Sequence, residues 1–225
     1  MSRTEDFELL LEASRNSFKS LFKEHNEEFY YCTLILSEEA VPFISASSKE
    51  SLNEIVSKNN GKYSVDEVKW SYADSPYCGY GFEEYFKKIS KLFNERMNMV
   101  SNDDYDNEIR YWLSLMEKVM KALDKEKVFG DGKKRRDMII NAEVMPPDAS
   151  NAQRAERLNT KTAYKKWYKD NFDEEEDIVS DDFYEILSKM SRREIALSFE
   201  KWNSAEKKAA TEYVKKLNSE QYNIK

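Results

Sequence analysis

Histidine and cysteine are scarce in this chain, and their scarcity excludes several kinds of site. The 225 residues include one histidine, His25, and two cysteines, Cys32 and Cys78. Catalytic arrangements of the Ser-His-Asp or Cys-His type require an imidazole base, and structural zinc sites need several Cys or His ligands. Two cysteines in a chain of this length do not make a disulfide scaffold. We therefore predict no metal and no cofactor, and a binding role is favoured over catalysis.

Glycine, proline and long apolar runs are also rare. Only 5 glycines and 4 prolines are present, which favours long regular elements over a loop-rich fold. No segment approaches the run of about 18 apolar residues that a membrane-spanning helix needs. The first residues, MSRTEDFELLLEASRNS, lack the apolar stretch of a signal peptide. These features predict a cytoplasmic protein that does not associate with a membrane.

What the chain does contain is charge of both signs and many aromatic residues. Charged residues make up 35% and aromatic residues 13%, and the formal net charge is −7. An acidic balance disfavours binding to nucleic acid or to an anionic membrane, because phosphate contacts require clustered Lys and Arg. The one basic cluster is Lys133–Arg136. We interpret it as solvated, and weak nucleic-acid binding through it is the third hypothesis for function.

The hydrophobic patterns predict an α+β fold, with a sheet of about four strands, antiparallel or mixed, covered by helices. Apolar spacing of helical type predicts long helices over Thr4–Glu24 and Tyr105–Lys125. The aromatic and β-branched run from Phe29 to Leu36 is typical of a strand buried on both faces. The four predicted strands are Phe29–Leu36, Pro42–Ala46, Val65–Tyr72 and Met138–Met145.

A run of five acidic residues, from Asp173 to Asp177, indicates a boundary between domains. Such runs are usually solvated connectors. We therefore predict an α+β domain over residues 1–172, an acidic linker over 173–180 and a helical C-terminal extension over 181–225.

The least ordinary stretch is the predicted loop from Asp74 to Gly81. Its two glycines lie before a predicted helix, where backbone N–H groups can receive an anion. Their spacing fits neither the dinucleotide fingerprint nor the P-loop, so a tight turn held by tyrosines is favoured over a contact with a ligand or partner. Glu143 alternates with apolar residues on the last predicted strand, which favours a solvated face. It becomes a candidate if it is buried with a raised pKa. The candidate binding residues are Asp74, Ser75, Tyr77, Cys78, Tyr80 and Glu143.

Three segments together resemble a known family. They are FYYCTLILSEEAVPFISASSKESLNEI from Phe29, VKWSYADSPYCGYGFEEYF from Val68 and KRRDMIINAEVMPPDASNAQRAERLN from Lys134. They are similar to a bacterial family known as domain of unknown function 4303, over roughly residues 3–170. The resemblance implies a fold and a bacterial setting, but it implies no activity and no functional residues.

These observations favour a non-enzymatic module that binds another protein. Tyrosine and tryptophan are common anchors of protein interfaces, and small acidic α+β proteins include immunity proteins that neutralise bacterial toxins. The analogy makes an immunity or antitoxin-like role the first hypothesis. The alternative is an enzyme or small-ligand binder that uses the Asp74–Gly81 loop and nearby carboxylates.

Overall fold

The computed structural model describes residues 3–37, 40–58, 65–172, 181–199, 202, 206–207 and 209–215. The chain forms two compact units, Met1–Asn171 and Phe172–Lys225. The predicted linker over 173–180 lies outside the described residues.

The first unit contains nine helices and three strands among its described residues. In chain order they are α1 (Arg3–Glu24), β1 (Phe29–Ser37), β2 (Ala40–Ser48), α2 (Lys49–Lys58), α3 (Val65–Lys69), α4 (Phe82–Tyr85), α5 (Lys87–Met97), α6 (Tyr105–Lys125), α7 (Gly132–Asp137), β3 (Ile139–Met145), α8 (Ala149–Leu158) and α9 (Lys161–Phe172). A short 3-10 turn, Asn102–Asp104, leads into α6. The two long predicted helices are confirmed as α1 and α6.

The three strands form one mixed sheet with β1 in the centre. β2 pairs with β1 in antiparallel orientation, and Leu34 lies opposite Ile44. β3 pairs with β1 in parallel, and Leu34 lies opposite Ala142 on that side. The α+β class and the hairpin-like pairing of the first two strands are confirmed, whereas the prediction of about four strands is wrong.

The main core lies between one face of this sheet and the helices α1, α5 and α6. Leu34 and Ile44 on the sheet and Phe18, Trp112 and Met116 on the helices are all fully buried there. The apolar stripes of α1 and α6 pack on this face of the sheet. Burial of their large side chains contributes much of the favourable free energy of folding.

The segment that was predicted as the third strand, Val65–Tyr72, is a short helix followed by turns. Its Trp70 packs edge-on against the rings of Tyr30 and Tyr31 on β1, at centroid distances of 5.3 and 5.6 Å. The alternation of Val68, Trp70 and Tyr72 therefore places aromatic rings over the sheet, and not in it. In the part of the chain that the structure describes, no fourth strand joins, because both edges of the sheet already have hydrogen-bonding partners.

One of these edges, that of β3, is covered by polar side chains of α8. Asn159, immediately after the helix, accepts from the Ile140 N–H at 3.0 Å and donates to the Ile140 carbonyl at 2.7 Å. Asn151 pairs in the same way with the N–H and carbonyl of Val144, at 2.8 and 3.0 Å. The helix thus satisfies main-chain groups that an open edge would offer to another strand.

The second unit has a small helical core of its own. Its helices include α10 (Asp181–Lys189) and α11 (Arg192–Ser198), and residues 209–215 are also helical. Helix α11 begins with a capping box, in which Ser191 and Glu194 satisfy each other's main-chain N–H groups. The buried apolar residues of this core are Phe183, Leu187, Ile195, Ala209 and Ala210.

Candidate functional site

The loop that the sequence singled out covers the other edge of the sheet. The Ser75 hydroxyl donates to the Ala46 carbonyl, and the Gly79 N–H donates to the Ile44 carbonyl at 2.9 Å. Gly81 has a φ of +67° and packs closely, since an added Cβ would lie 2.7 Å from the Tyr85 ring. Both features are those of a tight turn that closes the β2 edge.

The tyrosines of the loop hold it to the end of α1. The Tyr77 hydroxyl donates to Glu27 Oε1 at 2.6 Å, and the Tyr80 hydroxyl donates to Glu24. The ring of His25, the only histidine, packs against Tyr77 at a centroid distance of 4.7 Å. Burial and the Glu27 carboxylate raise the pKa of Tyr77. Tyr77 is therefore a protonated donor with a structural task, and it is buried rather than offered to a partner.

Two other residues of the loop are exposed. Asp74 lies on the outer surface of the loop, and Cys78 is a free cysteine that is exposed to solvent. The atoms around the Cys78 sulfur nevertheless desolvate it and raise its pKa. A nucleophilic cysteine needs the opposite shift, because the thiolate is the reactive form.

Glu143 is buried on the sheet, and its interpretation as part of a solvated face is wrong. Its residue surface is 8% exposed, and the fully buried Tyr31 hydroxyl donates a hydrogen bond to its carboxylate. Burial raises the pKa of Glu143, and the hydrogen bond from Tyr31 and the nearby Arg154 guanidinium oppose that rise. The side-chain nitrogen of Asn141, on the same sheet face, is buried without an acceptor among the described residues.

The structure brings only some of the predicted residues together. Burial, Cys78 and Glu143 all raise the pKa of Tyr72, so the loop and β3 come within electrostatic reach of each other at this ring. Ser75, Tyr77 and Tyr80 hold the loop to β2 and to the end of α1, and Glu143 pairs with Tyr31 on the sheet.

A groove of about 540 Å³ between α6 and α8 is balanced in charge. Arg157 holds Glu117 with two hydrogen bonds of 3.0 and 2.8 Å, and this pairing lowers the pKa of Glu117 to about 2. Asp148 already caps α8 by accepting from the Ser150 N–H at 2.8 Å. Glu117 and Arg157 thus neutralise each other, and Asp148 serves the fold.

A larger cleft has unbalanced charge and an apolar interior. It lies between the start of β1, the helices α2 and α3, and the helices α7 and α9, and its volume is about 1080 Å³. We call it the tryptophan cleft, after Trp70 and Trp167. Its lining exposes more apolar than polar surface, as in many binding clefts. The apolar lining residues are Phe29, Tyr30, Leu52, Trp70, Ile139, Ala163 and Trp167.

Six cations line the same cleft, and two of them are paired. Lys49 pairs with Glu28 at 2.6 Å, and Lys69 pairs with Asp170 and lies 5.0 Å from the centre of the Trp70 ring. The other four are exposed and have no ion-pair partner among the described residues. These four are Lys133, Lys134, Arg136 and Lys166.

The four residues of the basic cluster, Lys133–Arg136, therefore do not all face the cleft. Arg135 points away from the cleft, pairs with Asp124 and donates to the carbonyls of Met138 and Leu158 at 3.0 and 2.9 Å. Its neighbours in the cluster line the cleft. Sequence reasoning found this one wall but missed the cleft, since the other walls come from separate segments of the chain, mainly within residues 26–70 and 162–167.

The match to a family model supports the resemblance noted in the sequence. Residues 10–160 match the family described as a domain of unknown function (DUF4303). The chain belongs to this family. The match covers the three strands, the loop and the helix α8 that close the two edges of the sheet, and most of the walls of the tryptophan cleft. It ends before α9 begins.

The other comparisons add no relative. No curated protein and no solved structure matches the chain. Within the described residues, no helix has the length and apolar character required to cross a membrane. Nor do those residues contain a group of three or more His, Cys, Asp or Glu side chains placed to hold a metal ion.

Proposed function

We propose that this DUF4303 chain is a non-enzymatic protein-binding module and that the tryptophan cleft is its binding surface. The observation that supports this proposal is the combination of an apolar interior with four unpaired cations in one concavity. Exposed apolar surface rimmed by polar groups marks interaction sites in folded proteins. Tryptophan, tyrosine and arginine, all present here, are the residues most enriched in binding hot spots.

The size of the cleft favours a macromolecule over a small ligand. Its volume of about 1080 Å³ is at the upper end of small-molecule clefts, which span about 300–1,000 Å³. It is also half open, because exposed side chains of α2, α7 and α9 form its rim. A partner segment can enter such a cleft from the surface without a change in the fold.

Two pairs of a buried tyrosine and a carboxylate support binding rather than catalysis. Tyr77 and Tyr31 each donate to a carboxylate, and Glu27 and Glu143 are the acceptors. Each of these groups has a partner that the fold supplies.

The finer form of the proposal is an immunity or antitoxin-like protein in the bacterial cytoplasm. A protein of this kind acts by binding and blocking its partner, and it requires an interface but no catalytic group. The family resemblance, the acidic composition and the scarcity of cysteine support this form.

The proposal is tested by capture of partners from the cells that encode the protein. The tagged chain, a cleft variant (K133E/K134E/R136E) and a matched control (K87E/K88E/K91E) are compared by quantitative mass spectrometry. The control reverses three exposed lysines on α5, none of which lines the cleft. We expect one stoichiometric protein on the wild type and the control, and its loss from the cleft variant. A partner retained equally by all three chains would exclude the cleft as the binding surface.

A further inference from the structure

We infer that the segment bound in the tryptophan cleft is an acidic stretch of a partner protein that inserts one large apolar side chain. This inference rests on the proposed function and names the chemistry of the partner. It follows from three features of the cleft, which are its floor, its unpaired cations and the state of its carboxylates.

The floor is suited to an apolar side chain. Leu52 and Trp70 are half-buried and offer apolar surface to a ligand, whereas Phe29, Ile139 and Trp167 beside them are almost fully buried and offer little. An apolar side chain that covers this surface removes it from water, which favours binding by roughly 25 cal/mol for each Å² buried. A purely ionic ligand would leave that surface wet.

The unpaired cations attract negative charge. Lys133, Lys134 and Arg136 on α7 and Lys166 on α9 have no ion-pair partner among the described residues. The net charge of the chain is −7, so these cations are a local exception on an acidic protein. An acidic partner is repelled by most of the surface and attracted here, and that contrast orients its approach.

The carboxylates of the cleft do not cancel this attraction, because its six cations outnumber its four carboxylates. Asp137 on α7 is the one carboxylate beside the unpaired cations, and the other three lie near the start of β1 and on α2. Glu27 accepts from the hydroxyls of Tyr77 and Ser48, and Glu28 pairs with Lys49. Glu50 accepts from the Glu28 N–H at 2.9 Å.

These carboxylates also favour a polypeptide over a nucleic acid. Glu27, Glu28 and Glu50 line the wall formed by the start of β1 and α2. A nucleic-acid backbone carries a charge at every phosphate and would meet repulsion along that wall. A polypeptide can present acids to α7 and neutral or apolar side chains to the other wall.

The test uses three labelled 12-residue peptides and the purified full-length chain, with binding measured by fluorescence anisotropy. The first peptide is rich in Asp and Glu with a central Phe-Leu pair, the second keeps the acids but has Ser-Ser at the centre, and the third keeps Phe-Leu but has Lys for every acid. A single-stranded oligonucleotide of 12 bases is the fourth probe. The variants are K133Q/K134Q/R136Q/K166Q, Trp70→Phe and the matched control K87Q/K88Q/K91Q on α5.

We expect saturable binding of the acidic Phe-Leu peptide, with weaker binding of the other three probes. Loss of the four charges weakens that binding about tenfold, since exposed ion pairs contribute modestly each. Raised salt weakens it in the same direction, and the α5 control leaves it unchanged. Binding also changes the tryptophan emission, and Trp70→Phe reduces that change.

Two results would overturn the inference. One is equal binding of the acidic and the basic peptide, and the other is tighter binding of the oligonucleotide than of any peptide. If capture from cells finds a cleft-dependent partner but no acidic peptide binds, the proposed function stands and the inference on chemistry fails. If the acidic peptide binds but the cells yield no partner, the proposed function fails instead.

Discussion

The hydrogen bonds between Asn159 and the edge of β3 allow the effect of Asn159→Ala on stability to be predicted. The Asn159 side chain accepts from the Ile140 N–H at 3.0 Å and donates to the carbonyls of Ile140 and Ala155 at 2.7 and 2.8 Å. Ile140 itself is fully buried. Alanine removes these three hydrogen bonds and a longer one, of 3.4 Å, that Arg135 donates to Asn159 Oδ1. It supplies no replacement for the two main-chain groups of Ile140.

The cost follows from leaving those two groups unpaired. A buried polar group that loses its partner costs about 1–3 kcal/mol. Because Asn159 is half-exposed, water reaches part of the vacated space, and the lower part of that range applies. We therefore expect Asn159→Ala to lower the free energy of unfolding by about 2–3 kcal/mol.

The assay combines a global and a local measurement. Equilibrium urea unfolding, followed by circular dichroism and tryptophan fluorescence, gives the change in stability. Amide hydrogen exchange at Ile140 reports the local edge, and its rate rises in the variant because Asn159 no longer protects that amide. Asn107→Ala on α6 is the control, since Asn107 is exposed and has no hydrogen bond from its side chain among the described residues. A stability change below about 0.5 kcal/mol, or unchanged exchange at Ile140, would refute the reasoning.

Three further predictions concern single residues. Burial raises the pKa of Glu143 above its usual 4.5. The contribution of this group to stability is therefore complete below pH 4.5 and is lost as the pH rises through the folded pKa. Urea unfolding at several pH values should show a smaller loss of stability with rising pH for Glu143→Gln than for the wild type. Tyr77→Phe should cost about 1 kcal/mol, because it loses the hydrogen bond to a carboxylate, whereas the exposed Tyr105→Phe should cost almost nothing. Iodoacetamide at neutral pH should modify Cys78 more slowly than free cysteine, since the raised pKa of Cys78 leaves less thiolate. The reagent should not reach Cys32, which is fully buried. Faster modification of Cys78 than of free cysteine would contradict this account.

The elements that depend on local pattern could be predicted from the sequence. The helices α1 and α6 were predicted to within a residue at each end because their apolar stripes repeat with the helical period. The run Phe29–Leu36 indicated a strand buried on both faces, and β1 is the central strand with partners on each side. The resemblance to the DUF4303 family was also visible in the sequence, and the family match over residues 10–160 confirms it.

The third predicted strand shows where local pattern is insufficient. Val68, Trp70 and Tyr72 alternate as strand residues do, but a strand also needs an open edge to pair with. Ser75 and Gly79 occupy the edge of β2, and α8 occupies the edge of β3. The hydrogen bonds of Ser75 and Gly79 reach 29 and 35 residues back along the chain, and Asn151 meets Val144 only because α8 folds back on β3. The alternation of Val68, Trp70 and Tyr72 therefore does not reveal that the edges are closed.

The candidate site depended on tertiary structure in the same way. Sequence determined the α+β class, the long helices, the hairpin and the local charge of Lys133–Arg136. Only the fold decided that Glu143 is buried against Tyr31, and that Arg135 turns from the cleft while its neighbours face it. Burial and net local charge are sums over segments distant in sequence, and the tryptophan cleft exists only where β1, α2, α3, α7 and α9 meet.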